Sequence, residues 1–563
     1  MERSIVKQRS RRYYRLAALG LAFSLAASAC GGGSDDSSSG DGDGKNTDTS
    51  IPTTEADVGK PVPGGELTYA VEADASGGYC LPTAQLAAGG IQIANSIYDP
   101  LFAFDKDFKP QPYLAESSSW NPEFTSLTIK LRQGIKFHDG TDLTADVVKL
   151  NLDVSRGDPE ATAKTGLSPL LFIFVFQNIA SIEAPDASTV VINTKVPWPA
   201  LTDHLAGGRN LMVAESQLMG GPETCKDQLV GTGPFKLISW TPNQEMTLEK
   251  NEGYWRKDAD GVQLPYLDKL TFKPVEGGPA RFDALDGDTV QAMHSTSQDV
   301  FDQVAGDDRF QLIAEAEGHK EVAYGLVNVG QAPMDDKEFR LNVSMAIDRD
   351  VLNDINSGGK FTVADQPFDT GVIGYVDDIE APTFDPDAAE AYFAGKNASL
   401  RLSYATDPTT KALAEEVKAQ LADVGVEVTI DEKDQATLIN QAIAGDFNIL
   451  LFRNHPGADP DTQYNWWKSG SPVNFGNIND PEMDRLLDEG RSETDPAKRQ
   501  AIYEDFNRAF AAGGYAQWNW YSEWGVGSYK TVHNLTGAHL PDGTEGPGLT
   551  WGWHSLSEAW VDQ

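Results

Sequence analysis

The spacing of apolar and polar residues along the chain predicts alternating helices and strands. Residues 127–132 alternate between apolar and polar side chains, which is typical of a strand with one buried face. Residues 411–424 instead place apolar side chains at helical spacing, and this predicted helix ends near Gly425. Residues 426–430 alternate again and predict a strand. A helix followed by a strand in this way is typical of an α/β lobe.

Local signals predict where other elements begin and end. Residues 66–71 predict a strand that begins after the turn signal Pro63-Gly64-Gly65, and residues 189–193 predict another strand. Thr144 is a predicted helix cap, since a threonine hydroxyl can accept a hydrogen bond from the first backbone N–H groups of a helix. A helix over residues 496–512 is predicted to stop at the glycine pair 513–514.

The first 29 residues have the composition of a secretion signal. Residues 16–29 are uncharged and mostly apolar. They follow a basic start that contains Arg3, Lys7, Arg9, Arg11, Arg12 and Arg15. We therefore predict a signal peptide over residues 1–29 and an exported protein. The general secretory route and the twin-arginine route both remain open, since Ser10-Arg11-Arg12 only partly matches a twin-arginine signal.

Cys30 follows the small residues 27–29, and this arrangement fits two cleavage enzymes. Ordinary signal peptidase accepts such small residues, whereas lipoprotein processing would leave Cys30 as a diacylated first residue. Residues 31–44 are Gly, Ser and Asp only, and they cannot bury enough apolar surface to fold. Because a flexible tether beside the cysteine suits a lipid anchor, we predict lipidation of Cys30 and a lipid-anchored linker over residues 30–60. The protein would then lie at the outer face of the cell membrane or in the periplasmic space.

Length and charge limit the possible classes of protein. The chain has 563 residues, which is too long for one ordinary core and predicts two or three lobes. Its 84 acidic and 45 basic residues give a formal net charge of −39. A polyanion repels phosphate backbones, so nucleic acid is excluded as the expected partner.

Two cysteines remain once Cys30 is assigned to a lipid anchor. These are Cys80 and Cys225. An even number of thiols in an oxidising compartment favours a disulfide, which we predict between them; two separate buried thiols are the alternative.

Several sequence blocks appear in a fixed order along the chain. The longest cover residues 112–120, 127–140 and 143–148, and shorter blocks cover residues 95–102, 231–235, 248–255, 281–285 and 339–349. Together they resemble the landmarks of the family 5 extracellular solute-binding proteins, which are the oligopeptide-, dipeptide- and nickel-binding components of ABC importers. The resemblance extends over nearly the whole chain after the linker.

This resemblance implies an α/β fold of the periplasmic-binding-protein type, a two-lobed clamp of the large type with an extra inserted domain. The expected boundaries are 61–108 for the first part of lobe I, 109–197 for the inserted lobe II, 198–275 for the second part of lobe I, 276–513 for lobe III and 514–563 for the last part of lobe I. Hinge crossings are expected near 273–278 and near Gly513, where glycine can absorb backbone rotation. His138, in the block 137–140, is assigned to the scaffold of lobe II.

The resemblance also implies a function without chemistry. The expected protein captures a small solute, in the first place a peptide, by lobe closure and delivers it to ABC permease subunits. An oligosaccharide or a metal chelate is the alternative solute, and a sensory role would use the same closure. A monomer without a cofactor is expected, with the lipid anchor as its contact with the membrane.

The candidate ligand-binding residues lie mainly in the segment 452–461. In peptide-binding relatives an Asp three residues before an acidic-Pro pair holds the ammonium group of the peptide, but here Pro456 stands three before Asp459. The clamp residue is missing, which argues against a simple free peptide as the ligand unless a small shift of the loop lets Asp459 or Asp461 substitute. Arg453 could pair with a ligand carboxylate, and Asn454 and His455 could form hydrogen bonds, with metal binding as a further possibility for His455. For Arg453 and His455 a local structural role is the alternative.

Aromatic residues supply further candidates. Trp466 and Trp518 are candidates for stacking on a ligand, although a place in the core fits them equally. Trp467 and Trp520 would point the opposite way in extended segments and are assigned to the core. Tyr79 is a further candidate for the cleft.

Motifs for enzymatic chemistry are absent from the sequence. It contains no His-Glu-x-x-His metal motif and no Gly-x-Ser-x-Gly elbow, and its eight histidines are scattered without ligand spacing. A secreted glycosidase is the remote alternative, because paired carboxylates are common in so acidic a chain. The prediction is a binding protein with no catalytic residues and no metal site.

Overall fold

The computed structural model describes residue 52 and residues 59–75, 78–84, 86–169, 172–454 and 457–563. The predicted signal peptide, the lipidation site at Cys30 and nearly all of the predicted linker lie outside these residues. In this part of the chain, no helix combines the length and the apolar character needed to cross a membrane.

Strands and helices alternate along most of the described chain. The strands are β1 (Glu66–Val71), β2 (Phe102–Phe104), β3 (Pro110–Pro112), β4 (Ala115–Trp120), β5 (Ser126–Leu131), β6 (Ile179–Asp186), β7 (Thr189–Thr194), β8 (Phe235–Thr241), β9 (Glu245–Lys250), β10 (Lys269–Pro274), β11 (Ala292–Ser295), β12 (Phe310–Ala314), β13 (Glu321–Val327), β14 (Ala398–Ala405), β15 (Val426–Lys433), β16 (Ile449–Asn454), β17 (Ala516–Ser522), β18 (Gly525–Tyr529), β19 (Val532–His533) and β20 (Trp560–Val561). The helices are α1 (Ala88–Ile97), α2 (Ala145–Ser155), α3 (Pro159–Thr165), α4 (Phe172–Val175), α5 (Leu201–Ala206), α6 (Glu215–Gly220), α7 (Gly278–Asp286), α8 (Gln298–Ala305), α9 (Lys337–Met345), α10 (Arg349–Ser357), α11 (Pro386–Phe393), α12 (Pro408–Asp423), α13 (Gln435–Ala444), α14 (Tyr464–Trp467), α15 (Pro481–Ser492) and α16 (Pro496–Gly513). Short 3₁₀ helices lie at Leu81–Thr83, Phe176–Asn178, Gly221–Lys226 and Pro460–Gln463.

The elements predicted from local patterns are present. The strands expected at 127–132, 189–193 and 426–430 correspond to β5, β7 and β15. Thr144 caps α2 as predicted, accepting a hydrogen bond from the backbone N of Val147 at 3.4 Å.

A seven-stranded sheet forms the centre of lobe I, in the order β12-β18-β11-β1-β10-β9-β8. Its central strand β1 runs parallel to both β10 and β11. Tyr69 and Phe272 are fully buried in the adjoining core, with ring centroids 6.0 Å apart. Because β1 and β11 are parallel neighbours, the residues that follow them, Glu72 and Thr296, lie at the same edge of the sheet.

A five-stranded sheet forms the centre of lobe III, in the order β15-β14-β16-β13-β17. β14 is parallel to β15 and β16, whereas β13 is antiparallel to β16 and β17. Helix α12 packs its buried apolar residues into the core on one side of this sheet, and α15 and α16 contribute to a second core that includes Trp467.

Lobe II is built around a four-stranded antiparallel sheet in the order β4-β5-β7-β6. Its alternating side chains bury Leu127, Ile129 and Ile192 against α2, which supplies Val148 and Leu152. The four strands fall inside the segment 109–197 that the sequence assigns to the inserted lobe.

The chain passes between the two large sheets later than the sequence suggested. Strands β11 and β12 lie in the expected lobe III segment but pair within the lobe I sheet. The chain therefore crosses between β12 and β13, at residues 315–320, and returns between β17 and β18, at residues 523–524. The crossings expected near 273–278 and Gly513 followed from the lobe order of the family and from glycines that could absorb backbone rotation, whereas strand pairing across the sheet decides where the crossings lie.

The predicted disulfide joins Cys80 to Cys225, with 4.7 Å between their Cα atoms. It connects the 3₁₀ helices Leu81–Thr83 and Gly221–Lys226, which border the core of lobe I. The bond thus links the first and second parts of lobe I across a chain separation of 145 residues.

The last described residues return to the start of lobe I. β20 pairs with β19, and the side chain of Gln563 donates a hydrogen bond to the carbonyl oxygen of Pro63 at 3.0 Å.

Candidate ligand-binding site

Arg453 reaches from lobe III to lobe I. It lies in β16, and its Nη2 is 3.4 Å from Oε2 of Glu72, while its Nη1 is 3.3 Å from Oγ1 of Thr296. A third contact, of 3.5 Å, joins Nη1 to Oε2 of Glu321 at the start of β13. The guanidinium also lies over the ring of Trp524, 5.1 Å from its centroid. We refer to Arg453, Glu72, Thr296 and Glu321 as the Arg453 bridge.

The two acids of the Arg453 bridge have pKa values shifted in opposite directions. Burial alone would raise the pKa of Glu72, but Arg453, His294 and Arg281 outweigh burial and lower it below its usual value. Burial raises the pKa of Glu321 despite the attraction of Arg453. Glu72 is thus held as a carboxylate in the crevice between the lobes.

A second contact between lobes centres on Asp461, which is fully buried. Its Oδ2 accepts hydrogen bonds from Nε1 of Trp198 at 2.5 Å and from Nε2 of His204 at 3.0 Å. Its Oδ1 accepts from Nε of Arg491 at 2.7 Å. Trp198 and His204 belong to the segment that leads from lobe II back into lobe I, whereas Asp461 and Arg491 belong to lobe III. We refer to these four residues as the Asp461 bridge.

Asp459, predicted as a substitute ammonium clamp, is engaged within lobe III. Arg499 pairs with both of its carboxylate oxygens, with Nη2 2.6 Å from Oδ1. Asp459 also accepts a hydrogen bond from the backbone N of Asp461 and so caps the helix Pro460–Gln463.

Other candidates are distributed between the crevice and the cores. Asn454 follows Arg453 in β16 and donates to Oε1 of Gln463 at 2.5 Å. Trp466 is half-buried and packs edge to face on Phe475, with ring centroids 5.4 Å apart. His455 and Pro456 lie outside the described residues.

Two candidates lie in hydrophobic cores. Tyr79 is fully buried in lobe I, where its hydroxyl donates to Oδ1 of Asp74 at 2.7 Å. Trp518 is buried against Tyr324, with ring centroids 5.1 Å apart. Trp467 and Trp520 are buried as well, in agreement with the prediction that they belong to the core.

His138 connects lobe II with lobe I. Its Nε2 lies 3.0 Å from the carbonyl oxygen of Gly233, and its Nδ1 accepts a hydrogen bond from the backbone N of Gly231 at 3.3 Å. Burial lowers its pKa to about 4, so the ring is neutral near pH 7. These contacts fit the scaffold role expected for His138.

Sequence reasoning did not single out Glu72, Glu321, Trp198 or His204. One signal could have identified Glu72: it directly follows a predicted strand of an α/β lobe, and ligands in such folds bind at the carboxyl ends of strands. Trp198 and His204 carried no comparable signal, because their partner Asp461 is more than 250 residues away in the chain, with separations of 263 and 257. In the part of the chain that the structure describes, no group of three or more His, Cys, Asp or Glu residues is arranged to hold a metal ion.

Comparison with known proteins supplies relatives of the same architecture. The family described as "Bacterial extracellular solute-binding proteins, family 5 Middle" matches residues 109–475. The glutathione-binding protein GsiB of Pectobacterium atrosepticum is 27% identical over 432 residues, which cover 73% of this chain and 80% of that protein. GsiB of Salmonella typhimurium is 30% identical over 359 residues, covering 61% of this chain and 65%, just under two thirds, of that protein.

Solved structures agree with this assignment. The binding protein AgaA of A. tumefaciens R10, in complex with agropinic acid, has a TM-score of 0.77 and 25% identity over 89% of this chain and 99% of its own. The oligopeptide-binding protein AppA of Bacillus subtilis, in complex with a nonapeptide, also has a TM-score of 0.77, with 20% identity over 90% of this chain and 100% of its own. The fold is therefore the two-lobed α/β clamp of these proteins. The relatives are substrate-binding proteins of transporters and not enzymes. This chain belongs to the bacterial extracellular solute-binding proteins of family 5, the substrate-binding components of ABC importers.

Proposed function

We propose that this protein captures a peptide or a peptide-like amino acid conjugate between lobes I and III and delivers it to an ABC permease. The observation that carries the proposal is the Arg453 bridge, in which a partly exposed guanidinium of lobe III faces a carboxylate of lobe I. Arginine is suited to the carboxylates of such ligands, because its planar group donates two parallel hydrogen bonds. The names of relatives agree: they include glutathione-binding proteins and a protein in complex with a nonapeptide.

Lobe closure is the proposed means of capture. The Arg453 and Asp461 bridges each join lobe III to the remainder of the molecule, so both would separate if the lobes opened. A ligand that contacts both lobes stabilises the closed state by its differential affinity for that state. The permease would then distinguish loaded from empty protein by its shape.

The proposed location is the outer face of the cell membrane, with Cys30 lipidated, or the periplasmic space. The sequence of residues 1–44 supports export and anchoring, and the extracellular character of the family supports export. The Cys80–Cys225 disulfide suits an oxidising compartment.

Calorimetric titration of the purified protein tests the proposal. The panel contains trialanine, glutathione, raffinose and the nickel–histidine complex, with small-angle scattering on any mixture that shows binding. We expect binding of trialanine or glutathione together with a smaller radius of gyration. Binding of raffinose or the nickel complex alone would contradict the proposed ligand class, and binding without a change in radius would contradict capture by closure.

A further inference from the structure

The two acids that the sequence offered as ammonium acceptors are already engaged. Arg499 pairs with both oxygens of Asp459. Asp461 is fully buried and receives hydrogen bonds from Trp198, His204 and Arg491. Neither carboxylate is therefore available to a ligand in this structure.

Glu72 retains capacity to bind a cation. In the described part of the chain, its carboxylate meets one hydrogen-bond donor, Arg453, at 3.4 Å. An ionised carboxylate accepts about four hydrogen bonds, so most of its acceptor capacity is open. Its side chain keeps 20% of its surface exposed, which leaves a path for a ligand.

Arg453 has similar unused capacity. Its three polar contacts measure 3.3 to 3.5 Å, longer than the roughly 2.7–2.9 Å of strong charge-assisted hydrogen bonds. Arg499 shows the contrast, because it holds Asp459 with both Nη atoms and one of these contacts measures 2.6 Å. The side chain of Arg453 is also 37% exposed, and its guanidinium carries five N–H donors in all, more than its present contacts use.

The short separation of these two groups limits the ligand. An extended tripeptide places its terminal ammonium and carboxylate about 10 Å apart, at about 3.3–3.6 Å per residue. Glu72 and Arg453 face each other with 3.4 Å between their nearest polar atoms, so a ligand can enter between them only if the two side chains move apart. This separation is smallest for a ligand whose ammonium and carboxylate are close together. Both groups are bonded to one carbon in a free α-amino acid head, such as a γ-glutamyl group.

We propose that Glu72 and Arg453 together bind an α-amino acid head group, with its ammonium on Glu72 and its carboxylate on Arg453. The ligand would enter between the two side chains and replace their direct contact with two shorter ones. This inference rests on the proposed function and narrows it, because it selects γ-linked or otherwise head-bearing conjugates over ordinary α-linked peptides.

Two isomeric tripeptides test the inference by calorimetric titration. γ-Glu-Ala-Gly carries the intact amino acid head, whereas α-linked Glu-Ala-Gly has the same atoms without it, and neither contains a thiol that could exchange with the Cys80–Cys225 disulfide. We expect the protein to bind the γ-linked isomer at least tenfold more tightly. Glu72→Gln should weaken binding of the γ-linked isomer at least tenfold and leave binding of its N-acetylated form unchanged.

The control is Glu66→Gln, the same substitution at the first residue of β1, the strand that Glu72 follows; the Glu66 side chain is 68% exposed and paired with Lys269. It should bind both isomers as the unmodified protein does. Equal affinity for the two isomers, or an equal loss for both in Glu72→Gln, would overturn the inference while leaving peptide capture intact. Failure to bind trialanine, glutathione and both isomers would overturn the proposed function together with the inference.

Discussion

Asp461 joins two lobes through one buried charge. Burial alone would raise its pKa, but Arg491 and His204 outweigh burial and hold the pKa far below its usual range. The group therefore remains a carboxylate in the folded protein. Removing one partner of such a pair is costly, because it leaves the other charge buried without compensation.

We expect Asp461→Asn to destabilise the protein by about 3 kcal/mol at pH 7, since Arg491 would lose its countercharge. Urea denaturation followed by tryptophan fluorescence measures the change. The folded pKa of Asp461 is depressed, so its contribution is complete above the unfolded pKa of about 3.9 and is lost as the pH falls towards the folded value. The difference between variant and unmodified protein should therefore shrink below about pH 4.

Asp378→Asn is the matched control, because Asp378 is 86% exposed and its partner Arg508 is also at the surface. That substitution should change stability by less than about 0.5 kcal/mol at any pH. A difference for Asp461→Asn that stays constant with pH would contradict the electrostatic explanation.

Reasoning from single residues identified only part of the candidate site. Arg453 was identified because a guanidinium in the family's cleft segment can pair with a ligand carboxylate, and the structure places it between the lobes. Asp459 was chosen for its position in the sequence, and nothing local indicated that Arg499, 40 residues later, would pair with it. Tyr79 shows the same limit, because its burial depends on Asp74 and on Trp240 of a distant strand.

Aspartate followed by proline recurs where helices begin. Such pairs start α3, α11, α12, α15, α16 and the 3₁₀ helix Pro460–Gln463. In each case the Asp side chain accepts a hydrogen bond from a backbone N–H group at the start of the helix. Proline suits the first helical position because an N–H group at that position would have no partner within the helix. Part of the chain's acidity therefore serves helix starts.

Asp495 caps α16, and substitutions at this residue measure how much such a cap contributes to stability. Its side chain accepts a hydrogen bond from the backbone N of Lys498 at 3.0 Å. We expect Asp495→Ala to lower stability by about 1 kcal/mol and Asp495→Asn to cost much less, because asparagine is also a good cap. Urea denaturation of both variants checks this, and equal losses would show that the side-chain charge matters more than the cap.

Elements were more predictable than their arrangement. Alternation and caps located β5, β15 and α2, because both signals are local. The start of α12 was missed: it begins at Pro408, because Asp407 accepts hydrogen bonds from the next backbone N–H groups. The placement of β11 and β12 in the lobe I sheet depends on pairing with β18, more than 200 residues later, and no local pattern reports such a partner.

At the scale of the molecule, the disulfide closes a loop of 145 residues that contains lobe II. In the chain-entropy account, a loop of this length contributes about 5 kcal/mol, because it limits the unfolded chain. We therefore expect the double variant Cys80→Ser/Cys225→Ser to unfold at a lower urea concentration than the unmodified protein. Reduction of the unmodified protein should have the same effect, and a midpoint insensitive to both changes would contradict the expectation.

The net charge of −39 acts on the whole molecule as self-repulsion. Salt screens such repulsion over distances near the Debye length, about 10 Å at 0.1 M. Raising sodium chloride from about 0.01 M to about 0.2 M should therefore increase the melting temperature by a few degrees. A decrease in a thermal melt would mean that attractive surface pairs outweigh the repulsion.

The hydrogen bond between Gln563 and Pro63 brings these two residues together, so the path of the backbone from residue 63 to residue 563 is nearly closed. A short glycine-serine linker could join these two residues, and new ends could be opened in the exposed turn around Gly395, where a side chain would meet no neighbouring atom. Gln563 and Gly395 also suit fluorescent labels, because they lie on different lobes. A fluorescent domain fused at residue 563 would lie on lobe I, whereas one inserted at Gly395 would lie on lobe III, so a pair of labels at these two places would test the proposed closure by measuring the distance between the lobes.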